Sequence, residues 1–324
     1  MKHWTMFGAL GLIWGASFLL IKIAVAPDGA IPTDVGLFDP LTLAAIRLTL
    51  AGLCFSALLL LTHRKLPTDG RTLAALAFGG FLNNALPYAL ITWGERTIDS
   101  GLASILNATT PLFSLIIAHY ALSDDRMTLG KVLGLISGFS GVILLATRSI
   151  DPTHPNPLPG QLAIVLAALS YACAAVFIRK TLRHVESMTT AAVSISSGAI
   201  ILVLATLLVV RPLPVLTAIQ PGAWAAILVL SILNTFIAYV FYFSLMAVWG
   251  ASRTTLVTYM TPPIGVLLGV LVAHEPLDWK LVVGALLIVG GVAAANLWRG
   301  RPKSVAAITL ADGEAAVTPQ TAAR

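Results

Sequence analysis

Long apolar runs alternate with short polar connections along the whole chain. Each run has about the 20 residues that an α-helix needs to cross the roughly 30 Å hydrocarbon core of a bilayer. The pattern predicts an all-α membrane protein with ten transmembrane helices, which we call spans and number from the N-terminus. The predicted spans cover residues 6–26, 41–61, 73–92, 102–122, 131–147, 161–178, 190–210, 223–246, 252–273 and 281–297.

Two of these runs contain polar residues and proline where a regular helix is expected. LASILNATTPLF occupies residues 102–113 and RTTLVTYMTPPI occupies residues 253–264, with an offset of 262 − 111 = 151 between Pro111 and Pro262. A proline removes the donor of the carbonyl four residues earlier, and a bare carbonyl deep in a bilayer is costly unless it faces protein or water. The pattern predicts kinks at Pro87, Pro111 and Pro262 beside a polar central cavity lined by spans three, four, eight and nine. The alternative is that the prolines only shape helices and nearby Asn and Thr side chains satisfy the local backbone.

The two halves of the chain align with each other at the same offset. Asn83 matches Asn234, and Tyr88 matches Tyr239. Because each half holds five spans, an odd number, the halves must cross the membrane in opposite directions. Inverted repeats of this kind are typical of secondary transporters, whose substrate site lies at the repeat interface near the midplane.

The repeat predicts the domain organisation. Residues 1–150 form the first five-helix repeat, residues 151–300 form the second, inverted repeat, and residues 301–324 form a basic, disordered cytoplasmic tail. Ala238 stands where the first half has Pro87, so span eight is expected to lack that kink.

The composition indicates a protein whose function lies within the membrane. The chain of 324 residues is 57% hydrophobic and 10% charged, whereas soluble domains carry about 25% charged residues. No connection has room for a folded soluble domain. A cleavable secretory signal is the alternative interpretation of the first run, but Lys22 interrupts the region where such signals are usually uncharged, so we expect a retained span.

Lysine and arginine are distributed unevenly between the connections. Counted as far as Lys303, placing the N-terminus in the cytoplasm puts thirteen of these cations on the inner side and four on the outer side. The positive-inside rule therefore predicts cytoplasmic N- and C-termini in a bacterial cytoplasmic membrane. The net charge of +6 then reflects this bias and a basic tail beside anionic lipid, and it requires no nucleic-acid partner.

A few ionisable side chains fall within predicted spans, where such residues are functional candidates. Arg47 either pairs structurally with Glu95 or Asp99 or recognises a carboxylate in the outer vestibule. Lys22 is expected to reach the outer boundary as an orientation anchor. His119 is either an interface residue or a proton carrier. No Asp or Glu lies at mid-depth, so we expect facilitated, gradient-following export or coupling through an unusual group.

Aromatic and amide side chains predict the class of solute. A cavity with aromatic walls and a few amides and hydroxyls suits small amphiphilic solutes, including neutral or aromatic amino acids. Phe18 and Trp93 are expected beside this cavity, whereas Trp4, Trp279 and Trp298 fit an interfacial belt. The candidate substrate-binding residues are Trp14, Ser17, Asn83, Tyr88, Asn107, Thr110, Tyr171, Asn234, Tyr239, Thr258 and Tyr259.

Glycines and cysteines complete the sequence picture. The motif Gly134-x-x-x-Gly138 and the pair Gly290-Gly291 predict close helix packing. Cys54 and Cys173 both fall inside predicted spans, so a structural disulfide is not expected.

A membrane-embedded enzyme and a receptor or scaffold are the competing classes. An enzyme needs convergent catalytic groups or metal ligands, but the six histidines lie apart and the chain has no HExxH, GxSxG or paired-cysteine motif. We therefore expect no enzyme activity, no metal and no cofactor. The expected partners are a small-molecule substrate and membrane lipid, with a monomer as the expected oligomeric state.

Five stretches carry a resemblance to a known family. They are WGASFLLIK (14–22), AAIRLTLAG (44–52), SILNATTPLFSLIIAHYAL (104–122), GLISGFSGVIL (134–144) and TTLVTYMTPPIGVLLGVLVAHEPL (254–277). Together they resemble the EamA family of the drug/metabolite transporter superfamily over nearly the whole folded chain.

The resemblance implies two inverted five-helix repeats and export of small metabolites, often amino acids, by alternating access. One departure is visible, because Asp124-Asp125 replaces the glutamate that is usual after span four, whereas Glu275 keeps it after span nine. Drugs and nucleotide-type metabolites stay open as alternative substrates, although the chain offers little cationic charge for a diphosphate beyond Arg47 and Lys22.

Overall fold

The computed structural model describes residues 2–25, 38–64, 66–122, 127–150, 156–211, 219 and 221–297. All regular structure within these ranges is helical, which confirms the predicted all-α architecture. In the described part of the chain, nine helices have the length and composition to cross a membrane, and a tenth apolar helix is shorter. Asp124, Asp125, Trp298 and the predicted tail lie outside the described residues. The spans are Lys2–Val25, Pro40–Leu61, Gly70–Gly94, Ser100–Ala121, Leu129–Ile150, Leu158–Thr181, Ser187–Val209, Pro221–Trp249, Thr255–Val272 and Trp279–Leu297.

Short polar side chains start several of these helices. The Asp39 carboxylate accepts hydrogen bonds from the amides of Leu41 and Thr42 at 3.0 and 3.2 Å, immediately before span 2. The Asp278 carboxylate accepts from the amide of Leu281 at 2.7 Å at the start of span 10. Such caps satisfy amides that have no partner within the first turn of a helix.

Spans 3 and 8 share an irregular middle section. In span 3, π-helical turns over Phe81–Ala85 separate α-helices Gly70–Gly80 and Leu86–Gly94. In span 8, π-helical turns over Val229–Ile237 separate Pro221–Leu228 from Ala238–Trp249. Ala238, the counterpart of Pro87, begins the second helix of span 8, and the absence of a proline kink there stays a prediction. The wider turn needs no proline, and it recurs at the position that the repeat assigns to it.

Spans 4 and 9 also break at matching positions. Span 4 consists of two helices, Ser100–Asn107 and Thr110–Ala121. In span 9, the 3-10 turn Thr255–Tyr259 precedes the helix Thr261–Val272, and a short helix, Ala251–Thr254, lies before that turn. The Thr110 hydroxyl donates to the Asn107 carbonyl at 2.8 Å, which supplies the donor that Pro111 removes.

The packing of the spans has the symmetry of a repeat. Span 1 packs on span 9 as span 6 packs on span 4, and span 3 packs on spans 6 and 7 as span 8 packs on spans 1 and 2. In three further contacts, a span packs against its own counterpart in the other half. These contacts join spans 2 and 7, spans 4 and 9, and spans 5 and 10. The contacts thus pair off as the predicted repeat of five spans requires.

Small residues hold spans 5 and 10 together. A Cβ atom on Gly134 would overlap the Gly291 carbonyl oxygen and approach the Ala295 Cβ to 2.7 Å. A Cβ on Gly141 would approach the Gly284 carbonyl oxygen to 2.9 Å. Close packing at Gly134 and Gly291 agrees with the sequence prediction, but a Cβ on Gly290 would meet open space.

We expect Gly134→Val to lower the apparent melting temperature of purified protein by several degrees. Overpacking costs about 1–3 kcal/mol, and the neighbouring backbone of span 10 has little room to move. Gly290→Val is the matched control, because it makes the same substitution on an open face of span 10. Equal melting temperatures for the two variants in a thermal unfolding assay would contradict the packing described for spans 5 and 10.

Candidate functional site

Arg47 lies in the first half of span 2 and is only 6% exposed. Its Nε donates to the Thr235 hydroxyl of span 8 at 3.1 Å, and its Cζ lies 4.5 Å from the centroid of the Tyr88 ring in span 3. The Thr235 hydroxyl in turn donates to the Leu230 carbonyl at 2.8 Å, within the π-helical turns. Among the described residues, Arg47 forms no ion pair with Glu95 or Asp99, the partners that the structural alternative gave it.

Three tyrosines from three spans pack together beside this guanidinium. Tyr88 is a buried member of one hydrophobic cluster, and Tyr171 and Tyr239 pack against that cluster. The Asn83 amide donates to the Tyr239 hydroxyl at 3.4 Å.

The ring of Trp14 completes the group from span 1, at 6.4 Å from the Tyr239 ring in an edge-to-face arrangement. Spans 1, 2, 3, 6 and 8 therefore contribute to one group of side chains. We call Trp14, Arg47, Asn83, Tyr88, Tyr171, Thr235 and Tyr239 the central cluster.

The central cluster breaks the symmetry of the fold. Adding the offset of 151 relates Arg47 to Gly198 (47 + 151) and Asn84 to Thr235 (84 + 151). A Cβ on Gly198 would lie 3.0 Å from the Asn84 Cβ, so the same contact exists in both halves. Only one half has a guanidinium at this contact. In the other half, the Asn84 side chain is fully buried and neither amide atom has a partner within the described structure.

Asn234 lies beside the cluster without joining it. Its amide donates to the Ile13 carbonyl of span 1, and its Oδ1 is buried without a partner in the described part of the chain. Ser17 donates to the Trp14 carbonyl at 2.7 Å within span 1. The Asn234 bond joins span 8 to span 1, whereas the Ser17 bond stays within span 1.

Other candidate residues lie apart from the cluster. Asn107 and Thr110 lie at the break of span 4, and Thr258 donates to the Thr255 carbonyl at 2.8 Å within span 9. The Tyr259 hydroxyl donates to the Val292 carbonyl of span 10 at 3.4 Å.

Side-chain environment bears on three more candidates. The Nδ1 atom of His119 accepts from the Met127 amide at 3.1 Å, between the end of span 4 and the start of span 5. Phe18 is buried in the hydrophobic core and Trp93 is 50% exposed, so the expectation that both line the cavity is wrong.

A second group of polar residues closes one end of the molecule. Lys22 is 8% exposed, and its ammonium donates to the carbonyls of Glu95 and Ile98 at 3.0 and 2.9 Å. The side chain lies at a span end, as expected of an anchor, but it is buried there and joins span 1 to the end of span 3. We call Lys22, Glu95, Asp99, Arg148, Glu275 and Asp278 the end cluster.

Glu95 is the residue that sequence reasoning missed. Its side chain is fully buried, and neither carboxylate oxygen has a partner among the described residues. Burial raises the pKa of the Glu95 carboxyl well above its ordinary value of 4.5. The signal in the sequence is the shortness of the connection 95–99 between spans 3 and 4, which gives the carboxylate little freedom to reach water.

Glu275 caps the start of span 4. Its two carboxylate oxygens accept hydrogen bonds from the amides of Ser100 and Gly101 at 2.6 and 2.9 Å. A carboxylate at this position also interacts favourably with the helix dipole. Burial raises the pKa of Glu275, and the amide hydrogen bonds oppose that shift.

Arg148 holds the remaining acids of the end cluster. Its Nε lies 2.8 Å from the Asp278 Oδ2, and its Nη2 lies 3.3 Å from the Asp99 Oδ2. The Asn156 side chain donates to the Asp99 carboxylate at 2.9 Å and accepts from the Asp99 amide at 2.8 Å. These contacts tie together the ends of spans 3 to 6 and span 10. The distribution of cations in the sequence predicts that this is the outer end.

Comparison with known proteins identifies the class that this fold and these clusters define, a polytopic membrane transporter. The model of the EamA-like transporter family matches residues 4–147 and 158–297, so the chain belongs to that family. The chain is 25% identical to the uncharacterized transporter YoaV of Bacillus subtilis over 281 residues, covering 87% of this chain and 92% of YoaV. It is 27% identical to the uncharacterized inner membrane transporter YedA of Escherichia coli K12 over 290 residues, covering 87% and 88%.

A crystal structure supports the same fold. It superposes with a TM-score of 0.62 at 20% sequence identity and covers 94% of this chain and 99% of that chain. At this identity the likeness concerns the fold alone.

We expect Arg148→Ala to destabilise the protein by as much as about 3 kcal/mol, the lower end of the range for breaking a buried ion pair. The Arg148 side chain is 3% exposed, whereas the side chains of Asp99 and Asp278 are 21% and 32% exposed. Water can therefore hydrate these two carboxylates once Arg148 is removed, which keeps the loss of stability at the lower end of the range. The control is Arg64→Ala. Arg64 pairs with Glu186 with 35% and 55% of their side chains exposed, and such pairs contribute only about 0–1 kcal/mol. Similar shifts in melting temperature for both variants would contradict a buried role for Arg148.

Proposed function

We propose that this protein exports small metabolites, with neutral or aromatic amino acids as the substrate class, across a bacterial cytoplasmic membrane. Arg47 is the observation that carries the substrate class. A guanidinium binds a carboxylate through parallel hydrogen bonds. Its Nε is held by Thr235 at 3.1 Å, while its Nη atoms make no hydrogen bond within the described residues. Those atoms are the donors that a substrate carboxylate would accept from.

The surroundings of Arg47 favour an apolar or aromatic side chain on the same substrate. Tyr88, Tyr171 and Tyr239 provide aromatic faces from spans 3, 6 and 8, and Trp14 adds a fourth from span 1. Asn83 and the tyrosine hydroxyls supply hydrogen-bonding groups for an ammonium. One cation among aromatic and amide groups suits a zwitterion of small size.

Alternating access is the mechanism we propose for this site. Residues 1–150 and 151–300 serve as the two moving repeats, and the breaks of spans 4 and 9 together with the π-helical turns of spans 3 and 8 serve as their hinges. Asn107, Thr110, Thr258 and Tyr259 lie at or beside those breaks. The end cluster closes one side of the central cluster, so opening that side requires its contacts to separate. The basic tail, 301–324, lies at the cytoplasmic surface in this proposal.

Substrates with a diphosphate fit this centre less well. Their recognition needs several cations around the phosphates, and Arg47 is the one cation of the central cluster. Lys22 already donates to two backbone carbonyls in the end cluster. Drugs with an aromatic ring and a single anionic group share the chemistry of the proposed substrates and compete with them in the test below.

We expect purified protein in liposomes to exchange labelled L-phenylalanine and to be inhibited by other neutral amino acids more strongly than by nucleotides. Tyr239→Phe removes the hydroxyl that Asn83 contacts, and the loss of one hydrogen bond of about 0.5–1.5 kcal/mol predicts an exchange rate lower by about 2- to 10-fold. Tyr120→Phe is the matched control, because Tyr120 is 83% exposed. Absence of amino-acid exchange by wild-type protein, with exchange of a nucleotide instead, would overturn the proposed substrate class.

A further inference from the structure

The Glu95 carboxyl is a buried acid that substrate recognition does not use. It lies at the outer end of span 3 in the predicted orientation, beyond the central cluster. A carboxylate transferred from water to such a site without donors loses several kcal/mol of hydration. A neutral, protonated carboxyl avoids that cost.

The cations near Glu95 are already engaged by other groups. Lys22 of span 1 faces it but donates to the Glu95 and Ile98 carbonyls. Arg47 of span 2 also acts on it, but is held by Thr235 and Tyr88. Neither cation lies within ion-pairing distance of the Glu95 carboxylate among the described residues.

The remaining neighbours of Glu95 disfavour its negative charge or contribute none. Glu275, between spans 9 and 10, faces it with a like charge. Asp99, in the connection to span 4, acts on both Lys22 and Glu275. Span 6 packs on the end of span 3, and its first residues, 158–164, include no titratable side chain.

We propose that Glu95 is a proton-binding site linked to closure of the outer end. With that end closed, the carboxyl holds one proton. When the end opens, water reaches the carboxyl, its O–H bond breaks, the proton passes to outer water and the hydrated carboxylate remains. Because the closed form binds a proton that the open form releases, acidic outer pH favours closure and rising pH favours opening.

This inference goes beyond the proposed function and does not depend on which solute is carried. The contribution of the proton to closure is complete below the ordinary carboxyl pKa of 4.5 and is lost as pH rises toward the raised pKa of the closed form. Within that window, one linked proton changes the opening equilibrium by at most about tenfold per pH unit.

Cysteine labelling from the outer side tests the proposal without substrate. Ile98→Cys, at a position that is 1% exposed, is introduced into protein carrying Cys54→Ser and Cys173→Ser, and it reacts with an impermeant maleimide in liposomes. Thr97→Cys, at the exposed neighbouring position, corrects for the pH dependence of the thiol reaction itself. The Ile98 to Thr97 rate ratio is expected to rise with outer pH, by up to about tenfold per unit.

Glu95→Gln cannot ionise, so its labelling ratio is expected to be low and independent of pH. Glu186→Gln, an exposed acid in the connection between spans 6 and 7, is expected to keep the wild-type slope. A flat ratio in the wild-type background or an unchanged slope in Glu95→Gln overturns the proposal.

Infrared difference spectroscopy covers the case in which Glu95→Gln does not accumulate. Wild-type protein is expected to show a protonated-carboxyl C=O band that is lost as pH rises, and Glu275→Gln is expected to retain it. Absence of the band, or its loss in Glu275→Gln, overturns the assignment to Glu95. Labelling needs no substrate, so a failure of amino-acid exchange would not affect the labelling result. A failure of the labelling prediction would likewise leave the proposed substrate class untouched.

Discussion

Each polar group of the backbone that leaves a regular helix inside a bilayer needs a partner from the protein itself, because lipid offers none. This constraint explains much of the structure. Thr110 supplies the donor that Pro111 removes, and Thr235 donates to the Leu230 carbonyl within the π-helical turns. Lys22 donates to two carbonyls where span 3 ends. At these places side chains complete the hydrogen bonds of irregular backbone.

The same irregular segments give the molecule its polar centre. The π-helical turns of span 8 carry Thr235, which accepts from the Arg47 guanidinium, and span 3 brings the Tyr88 ring within 4.5 Å of that group. The related contact in the other half pairs Gly198 with Asn84. A symmetric frame therefore has an asymmetric centre with one cation. In our proposal, this asymmetry fixes the orientation of a substrate that has one carboxylate.

The sequence predicts those features that depend on local pattern. Span positions follow from runs of apolar residues, and the breaks follow from Pro87, Pro111 and Pro262. The offset of 151 brings Tyr88 and Tyr239 into related positions. The π-helical turns of span 8 have no proline to mark them, so the pattern missed them.

Contacts between distant parts of the chain were also missed. The positions of Lys22 near a span end and of Glu95 in a connection resemble those of solvated charges. Their burial depends on how spans 1, 3 and 6 meet, and no local pattern encodes that contact. Trp93 was misplaced for the same reason, because the face of span 3 that meets lipid is decided by its neighbours.

The central claim is that Arg47 binds the carboxylate of the substrate. Equilibrium binding of L-phenylalanine and of phenethylamine, which lacks the carboxylate, to wild-type protein and to Arg47→Gln tests it most directly. Loss of a hydrogen bond to a charged group, about 1.5–3 kcal/mol, predicts that wild-type protein prefers phenylalanine by about 10- to 100-fold and that the variant loses this preference. Equal preference for phenylalanine in both proteins would contradict the account.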